Sequence, residues 1–469
     1  MRPRAGRDAS AVTPPTAPDR LLEEPPLRAV VRLAAPTTLV MAVSAVSNVV
    51  YTIYVSRIGV EAIGAVSLVF PVSLLALTSM GGGIGAGAAS AIARAHGAAR
   101  RADAAALAGQ ALLLCVVLGV GFGILAIAGS PALFRLMGAS GAVHAGATQF
   151  ARVLLGGIVI TFFSMMLDSI MRGEGNVRIP ALWSVVSLVL QMLVTPFFMF
   201  TLGWGLPGGA IAMLACHFGC IFPRLRWVFG GHGLVRPTFR PAATGLAPTR
   251  EILRVGIPAA VSTSINNIGL MALTAVVARL GEADLAAYGL GTRLDFVLMS
   301  FGYGVGAGVL TLVGMATGAR RPERVRAFTT RGVAIAVVLL SLPGLLFCWQ
   351  PALWLGMFTA DPGVHAIGAQ YFRIIGPTYP LLGVSMVVAF AFQGLGRATL
   401  PLAVMVVRVA AVLLAAVVCT HQLGLGERAV FGCIAAGNVL GSASLVALFV
   451  ATERRLQSAA PWTKPVTAP

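Results

Sequence analysis

Val143-His144-Ala145-Gly146-Ala147-Thr148-Gln149-Phe150-Ala151-Arg152 returns 221 residues later as Val364-His365-Ala366-Ile367-Gly368-Ala369-Gln370-Tyr371-Phe372-Arg373, with Val, His, Gln and Arg in fixed register. The correspondence extends outward in both directions. Gly173/Gly394, Gly175/Gly396 and Pro180/Pro401 keep the same offset, as do Gly85-Ala86-Gly87 with Gly306-Ala307-Gly308 and Gly97 with Gly318. Upstream of one deletion the offset is 222: Pro36/Pro258, Arg57/Arg279, Gly59/Gly281, Ala65/Ala287 and Leu68/Leu290. Biased composition produces coincidences among Gly and Ala, but not paired Arg, His and Gln, so the chain is one unit of about 220 residues used twice.

The 469 residues are 57% hydrophobic and 11% charged, with a mean hydropathy of +0.88. A soluble core cannot bury that much apolar surface, and the apolar runs are long enough to cross a bilayer. They fall at 34–56, 62–92, 104–128, 146–171, 180–200, 206–223, 253–279, 285–314, 330–350, 366–393, 401–420 and 429–450. The expected fold is an all-α integral membrane protein of twelve transmembrane helices in two six-helix bundles. The expected divisions are a disordered arm over 1–26, bundles over 27–223 and 251–452, a linker over 224–250 and a tail over 453–469.

A net charge of +18 invites a nucleic-acid reading, and its distribution excludes one. Of 34 basic residues, 26 fall in the arm, the even-numbered loops, the linker and the tail, while four (Arg57, Arg135, Arg279, Arg428) fall on the other side. That alternation is the positive-inside rule, and it predicts that both termini are cytoplasmic. No cleavable apolar leader is expected ahead of the first span. The six cysteines lie in apolar segments and read as core residues. Cys216, His217 and Cys220 lack a fourth ligand, so no metal site is expected.

Six spans return the chain to its starting side, so the second copy inserts in the first copy's orientation and the pseudo-dyad runs along the membrane normal. Two such bundles enclose a central cleft whose walls can rock, the geometry of alternating access. No phosphate-cradling Gly-x-x-x-x-Gly-Lys motif is present, and Lys464 is the only lysine; the expected driving force is an ion or substrate gradient, with no cofactor. The run Gly81-Gly82-Gly83-Ile84-Gly85-Ala86-Gly87, echoed by Gly302, Gly304, Gly306 and Gly308, suits either close helix packing or a gating hinge. Pro36 and Pro258 are expected to open the first span of each half, Pro36 serving as a bend, while Pro71 and Pro343 should kink theirs.

These features resemble those of the multidrug and toxic compound extrusion (MATE) transporters over nearly the whole chain after residue 26. The motifs are Pro36 with Asn48-Val49-Val50-Tyr51-Thr52 and Arg57-Ile58-Gly59; Ala278-Arg279-Leu280-Gly281 with Leu285-Ala286-Ala287-Tyr288-Gly289; Val313-Gly314 through Gly318-Ala319; Met171-Arg172-Gly173-Glu174-Gly175-Asn176 with Pro180; and Gly208-Gly209-Ala210-Ile211-Ala212. The resemblance implies export of organic, often cationic, compounds in exchange for H+ or Na+ through V-shaped halves. It places the prokaryotic branch's span-one Asp at Tyr51, its span-four Asn at Asp168, its span-five Asn and Asp at Gln191 and Thr195, and its span-six Thr at Met213. Another branch's Glu and Asp fall on Asn266 and Leu382. All of these differ here, while Pro36 matches.

Among sixteen acids, Asp168 and Asp295 lie within spans, where a carboxylate needs a partner, a watery cavity or a proton. Asp168 precedes Arg172 by four residues, which is one helical turn, and sits about 6 Å inside the helix end. It reads either as an interfacial salt bridge or as a displaced ion-coupling carboxylate with Tyr51, Gln191 and Thr195 supplying uncharged oxygens. Asp295 needs a partner from another helix, and Arg408, deep in span eleven, is a candidate. Asn48, Met213, Asn266 and Asn267 join Asp295 and Arg408 as expected cleft residues. The expected function is a monomeric secondary exporter, not an enzyme, moving small amphipathic molecules. A flippase for lipid-linked intermediates and a non-transporting sensor are the alternatives.

Overall fold

A computed structural model describes residues 21–239 and 247–458 of the chain. Its spans are α1 (Pro26–Ile58), α2 (Val60–Gly97), α3 (Arg101–Leu136), α4 (Gly141–Leu154 with Ile158–Gly173), α5 (Arg178–Thr201) and α6 (Gly205–Phe229). The second set is α7 (Ala247–Ala278), α8 (Glu282–Gly318), α9 (Pro322–Trp349), α10 (Pro362–Gly394), α11 (Thr399–Gln422) and α12 (Glu427–Ser458). Their best windows have mean hydropathies of 1.5 to 2.8. Large apolar side chains stand exposed around the barrel of helices, including Val117, Leu125, Leu193, Val407, Leu414 and Leu440 at 67–72%. Such a belt is a liability in water and is satisfied in lipid.

The breaks in the helices repeat as faithfully as the residues. α4 bends by 45° between its two pieces, and α10 is interrupted 221 residues on by the 3-10 turn Gly376–Thr378. Wide turns of i→i+5 type close α5 at Phe197–Thr201 and α11 at Val418–Gln422. Ala99 and Arg320, each with φ 56°, are the non-glycine residues that follow α2 and α8 in left-handed backbone. One asymmetry stands out: α2 carries a wide segment at Ser79–Gly85, whereas α8 is continuous.

Glycine brings the lobes together. A Cβ at Gly97 would collide with the carbonyl of Met315, and one at Gly318 with the carbonyl of Arg94. Gly87 abuts the amide of Gly256 and Gly308 that of Ala34; Gly83 abuts Ala260 and Gly304 abuts Thr38. Each contact recurs with partners exchanged, as a two-fold relation requires. Because equivalent helices start from the same end, the axis runs along them. Hydrogen bonds that cross between the lobes lie toward the end rich in arginine: Ser90 to the Gln393 and Gly394 carbonyls, Arg94 to Glu251 at 3.2 Å and the Gly394 carbonyl at 3.3 Å, Thr249 to Gln110, and Arg324 to the carbonyls of Glu23 and Glu24. α1 and α7 make no extensive contact with one another among the described residues. The lobes therefore form a V closed at its basic end, floored by Tyr303, Met386, Phe390 and Leu310 against Ala86 and Ala89.

Several boundaries move. Of the arm expected over 1–26, residues 1–20 lie outside the described residues, and Leu21 and Leu22 are buried among α1, α8 and α9 side chains. The expected linker begins too early, because α6 runs through Pro223 to Phe229 and α7 already starts at Ala247; residues 240–246 lie outside the described residues. α12 extends to Ser458, beyond the expected boundary at 452. Pro36 and Pro258 do not open their spans but lie inside helices beginning at Pro26 and Ala247. The apolar run underestimates a helix whose polar ends project past the hydrocarbon.

Candidate functional site

Asp168 does not pair with Arg172. Its Oδ1 accepts from Arg224 Nε at 2.8 Å, and its Oδ2 accepts from Ser184 Oγ at 3.1 Å. Arg224 also donates to Ser184 Oγ at 3.0 Å and to the Cys220 carbonyl at 3.2 Å. The arginine side chain is 2% exposed and the carboxylate 15%. Arg172 turns instead to Ser169 Oγ at 3.1 Å. Each member of this α4–α5–α6 knot is satisfied, and three helices depend on it.

The knot is remote from the other expected coupling residues. Tyr51 lies over α6, where a Cβ at Gly209 would meet its Oη at 3.1 Å. Gly209 is fifteen residues from Arg224, and Thr195 is eleven from Ser184, roughly 22 and 16 Å along straight helices. Tyr51, Gln191 and Thr195 therefore do not surround Asp168. The Tyr51 and Thr195 hydroxyls are buried with no hydrogen-bond partner among the described residues, and Gln191 is buried on α5. Asn48 is exposed and donates to the Ser44 carbonyl at 3.0 Å. Met213 is half-buried, its carbonyl 2.9 Å from His217 Nδ1. Among the described residues no group of three or more His, Cys, Asp or Glu could hold a metal ion.

The C-terminal lobe does gather its polar residues. A cavity of about 130 Å³ between α7, α8, α10, α11 and α12 is lined by Asn266, Asp295, Tyr371, Arg408 and Asn438, with apolar walls from Leu270, Phe296 and Val409. Asp295 Oδ2 accepts from Tyr371 Oη at 2.7 Å, and Oδ1 accepts from Tyr379 Oη at 2.6 Å. Tyr288 packs edge-on against Tyr371, with centroids 6.0 Å apart. Arg408 donates to Asn438 Oδ1 at 3.1 Å and to Asn266 Oδ1 at 3.3 Å, and Asn438 in turn donates to Thr378 Oγ1 at 3.0 Å. The suggested Asp295–Arg408 pair does not form, since each charge is held by neutral partners. Asn267 follows Asn266 on α7 but does not line the cavity. Of the residues inferred from sequence, the structure thus unites Asn266, Asp295 and Arg408. Tyr371, Tyr379 and Asn438 were missed, because they stand 76, 84 and 30 residues from the groups they hold.

At the basic end, outside the spans, Glu174 is 4% exposed and accepts the amides of Leu234 at 3.0 Å and Val235 at 3.2 Å. Burial pushes its carboxyl up from the usual 4.5 to about 7, against the downward pull of the two amides. The folded protein thus keeps a proton that the unfolded chain has lost, so stability falls as pH rises from about 4.5 through about 7, by on the order of 3 kcal/mol. Glu174→Gln is expected to flatten this slope in melting curves taken at pH 5 and pH 8. An unchanged slope would remove Glu174 as its source.

The fold and the lobe cavity together define a membrane transporter built by duplication. Residues 36–197 and 258–419 each match the family model MatE, and these two matched segments stand 222 residues apart at both ends. The chain belongs to the MatE family. It is 23% identical over 384 residues to the "FAD transporter" of Shewanella oneidensis, covering 80% of this chain and 84% of that one. It is 24% identical to the "Probable multidrug resistance protein NorM" of Thermotoga maritima, covering 67% and 68%. Among solved structures, the Pyrococcus furiosus protein described as a MOP superfamily transporter whose "reverse polarity of binding pocket suggests different function" superposes with a TM-score of 0.89, at 27% identity, over 95% of this chain and all of that one. An "outward-facing conformation of a multidrug resistance MATE family transporter" superposes equally well, with the same TM-score, identity and coverage.

Proposed function

We propose that the protein is a secondary active exporter of amphipathic organic compounds in a bacterial inner membrane, working by alternating access and exchanging substrate for protons at Asp295. The reading rests above all on one observation: a half-buried carboxylate within a span that lines a cavity with no basic partner, held by two phenols. Such a group trades a proton for a cationic ligand without unpacking a salt bridge, which Asp168 cannot do. A lone carboxylate with two hydrogen-bond donors pointed at it suits a proton better than a hard cation that wants many oxygens. With the arginine-rich end cytoplasmic, the closed end of the V faces the cytoplasm and the cleft faces outward. Relatives named for multidrug resistance support export as the direction.

The test is export of a fluorescent cationic dye from proteoliposomes under separately imposed proton and sodium gradients. We expect acceleration by the pH gradient, abolished by a protonophore, and none by sodium. Equal rates with and without either gradient would end the exporter reading.

A further inference from the structure

We propose that the C-terminal cavity recognises an amphipathic zwitterion, taking the ligand's anionic group on Arg408 and its cationic group on Asp295. The inference rests on the reading of this cavity as the transport site and adds the class of molecule that fits it.

Two opposite charges line one cavity, yet no ion pair joins them. In a low-dielectric interior, opposite charges free to meet would do so. The scaffold keeps them apart. Tyr371 and Tyr379, both from α10, hold Asp295 with one hydroxyl on each oxygen. Asn266 from α7 and Asn438 from α12 hold Arg408 through amide oxygens. The arginine stem lies on α12 where Gly441 leaves room, since a Cβ there would stand 2.7 Å from Arg408 Cδ. The cavity is thus a dipole with fixed poles.

Arginine stays protonated and has five N–H donors. Here its partners are two amide oxygens and, at 3.6 Å, the sulfur of Met405. Among the described residues no acidic side chain lies within 4.0 Å of it. An uncharged ligand leaves both poles uncompensated, a simple cation compensates only Asp295, and a simple anion only Arg408. A molecule carrying both charges compensates the two together and seats its apolar portion against Leu270, Phe296 and Val409. At about 130 Å³ the cavity holds the charged groups, while a drug-sized body needs about 300 Å³ or more and must project from it.

The probe is Nε-dansyl-lysine, a zwitterion with an apolar fluorophore, compared with its methyl ester, which is a cation, and its Nα-acetyl derivative, which is an anion. Binding to the purified full chain is followed by dansyl fluorescence at fixed ionic strength. The zwitterion is expected to bind at least about tenfold more tightly than either derivative, the worth of one charge-assisted hydrogen bond. Arg408→Gln is expected to erase its advantage over the ester, and Asp295→Asn its advantage over the acetyl form. Wild-type protein that binds the ester as tightly as the zwitterion overturns the assignment of Arg408, and equal binding of the acetyl form overturns that of Asp295, whether or not the variants fold. Vesicle export separates this inference from the reading beneath it. Equal binding and equal gradient-driven export of ester and zwitterion would sink the zwitterion assignment and leave the exporter. The expected binding order without gradient-driven export of any probe would sink the exporter and leave the recognition site.

Discussion

Alanine at Asp168 is expected to destabilise the protein by about 3–5 kcal/mol, because it strands a buried guanidinium. Arg224 would keep only Ser184 Oγ and the Cys220 carbonyl, neutral groups that do not replace a carboxylate. The expected readout is a collapse of the monodisperse peak in detergent and a large drop in melting temperature. Removing both charges together, as Asp168→Leu with Arg224→Met, should recover most of the loss, since a buried ion pair and a well-packed apolar pair are often nearly equivalent. If Asp168→Ala melts like wild type, the carboxylate is not the pin of α4, α5 and α6. This experiment also separates two roles that sequence leaves open, because a coupling residue lost without structural consequence would leave melting unchanged.

Leucine at Gly318 is expected to force the basic end apart. Its Cβ would run into the Arg94 carbonyl, and backbone cannot step aside as a flexible side chain can. Overpacking costs about 1–3 kcal/mol, which moves a two-state equilibrium roughly 5- to 150-fold away from this conformation. Ala93, fully buried where α2 meets Gly314 of α8, offers the reporter. In a background with the six native cysteines replaced, Ala93→Cys should react slowly with a polar maleimide, and adding Gly318→Leu should raise that rate by about the same factor. Equal rates would mean that the glycine crossing does not hold the closed end.

The fold was legible because its determinants are local or periodic. Twelve apolar runs give twelve spans, and the pairing of Gly97 with Gly318 in sequence foreshadows their exchanged contacts across the dyad. What failed depended on neighbours from other helices. The four-residue rule sees Arg172 beside Asp168 and is blind to Arg224, 56 residues away. The apolar run ends at Pro223, which suggests a span terminus, yet the helix absorbs that proline and carries Arg224 inward. Cys216, Cys220 and Arg224 repeat every four residues on one buried stripe, and this was the available signal. Asp295 and Arg408 were recognisable as intramembrane charges, but that each would be held by neutral side chains follows from how α7, α10 and α12 converge. Asn266 and Leu382, where the resemblance places another branch's acids, both line this cavity. The charges that line it come instead from Asp295 on α8 and Arg408 on α11.

We assign ion coupling to Asp295 and a structural role to Asp168. The most direct measurement compares dye export from proteoliposomes, with and without an imposed pH gradient, for Asp295→Asn and for the neutral pair Asp168→Asn with Arg224→Gln, each reconstituted as folded protein. Asp295→Asn is expected to export at one rate regardless of the gradient, while the neutral pair keeps wild-type stimulation. Gradient-driven export that survives Asp295→Asn and vanishes in the neutral pair would contradict this assignment.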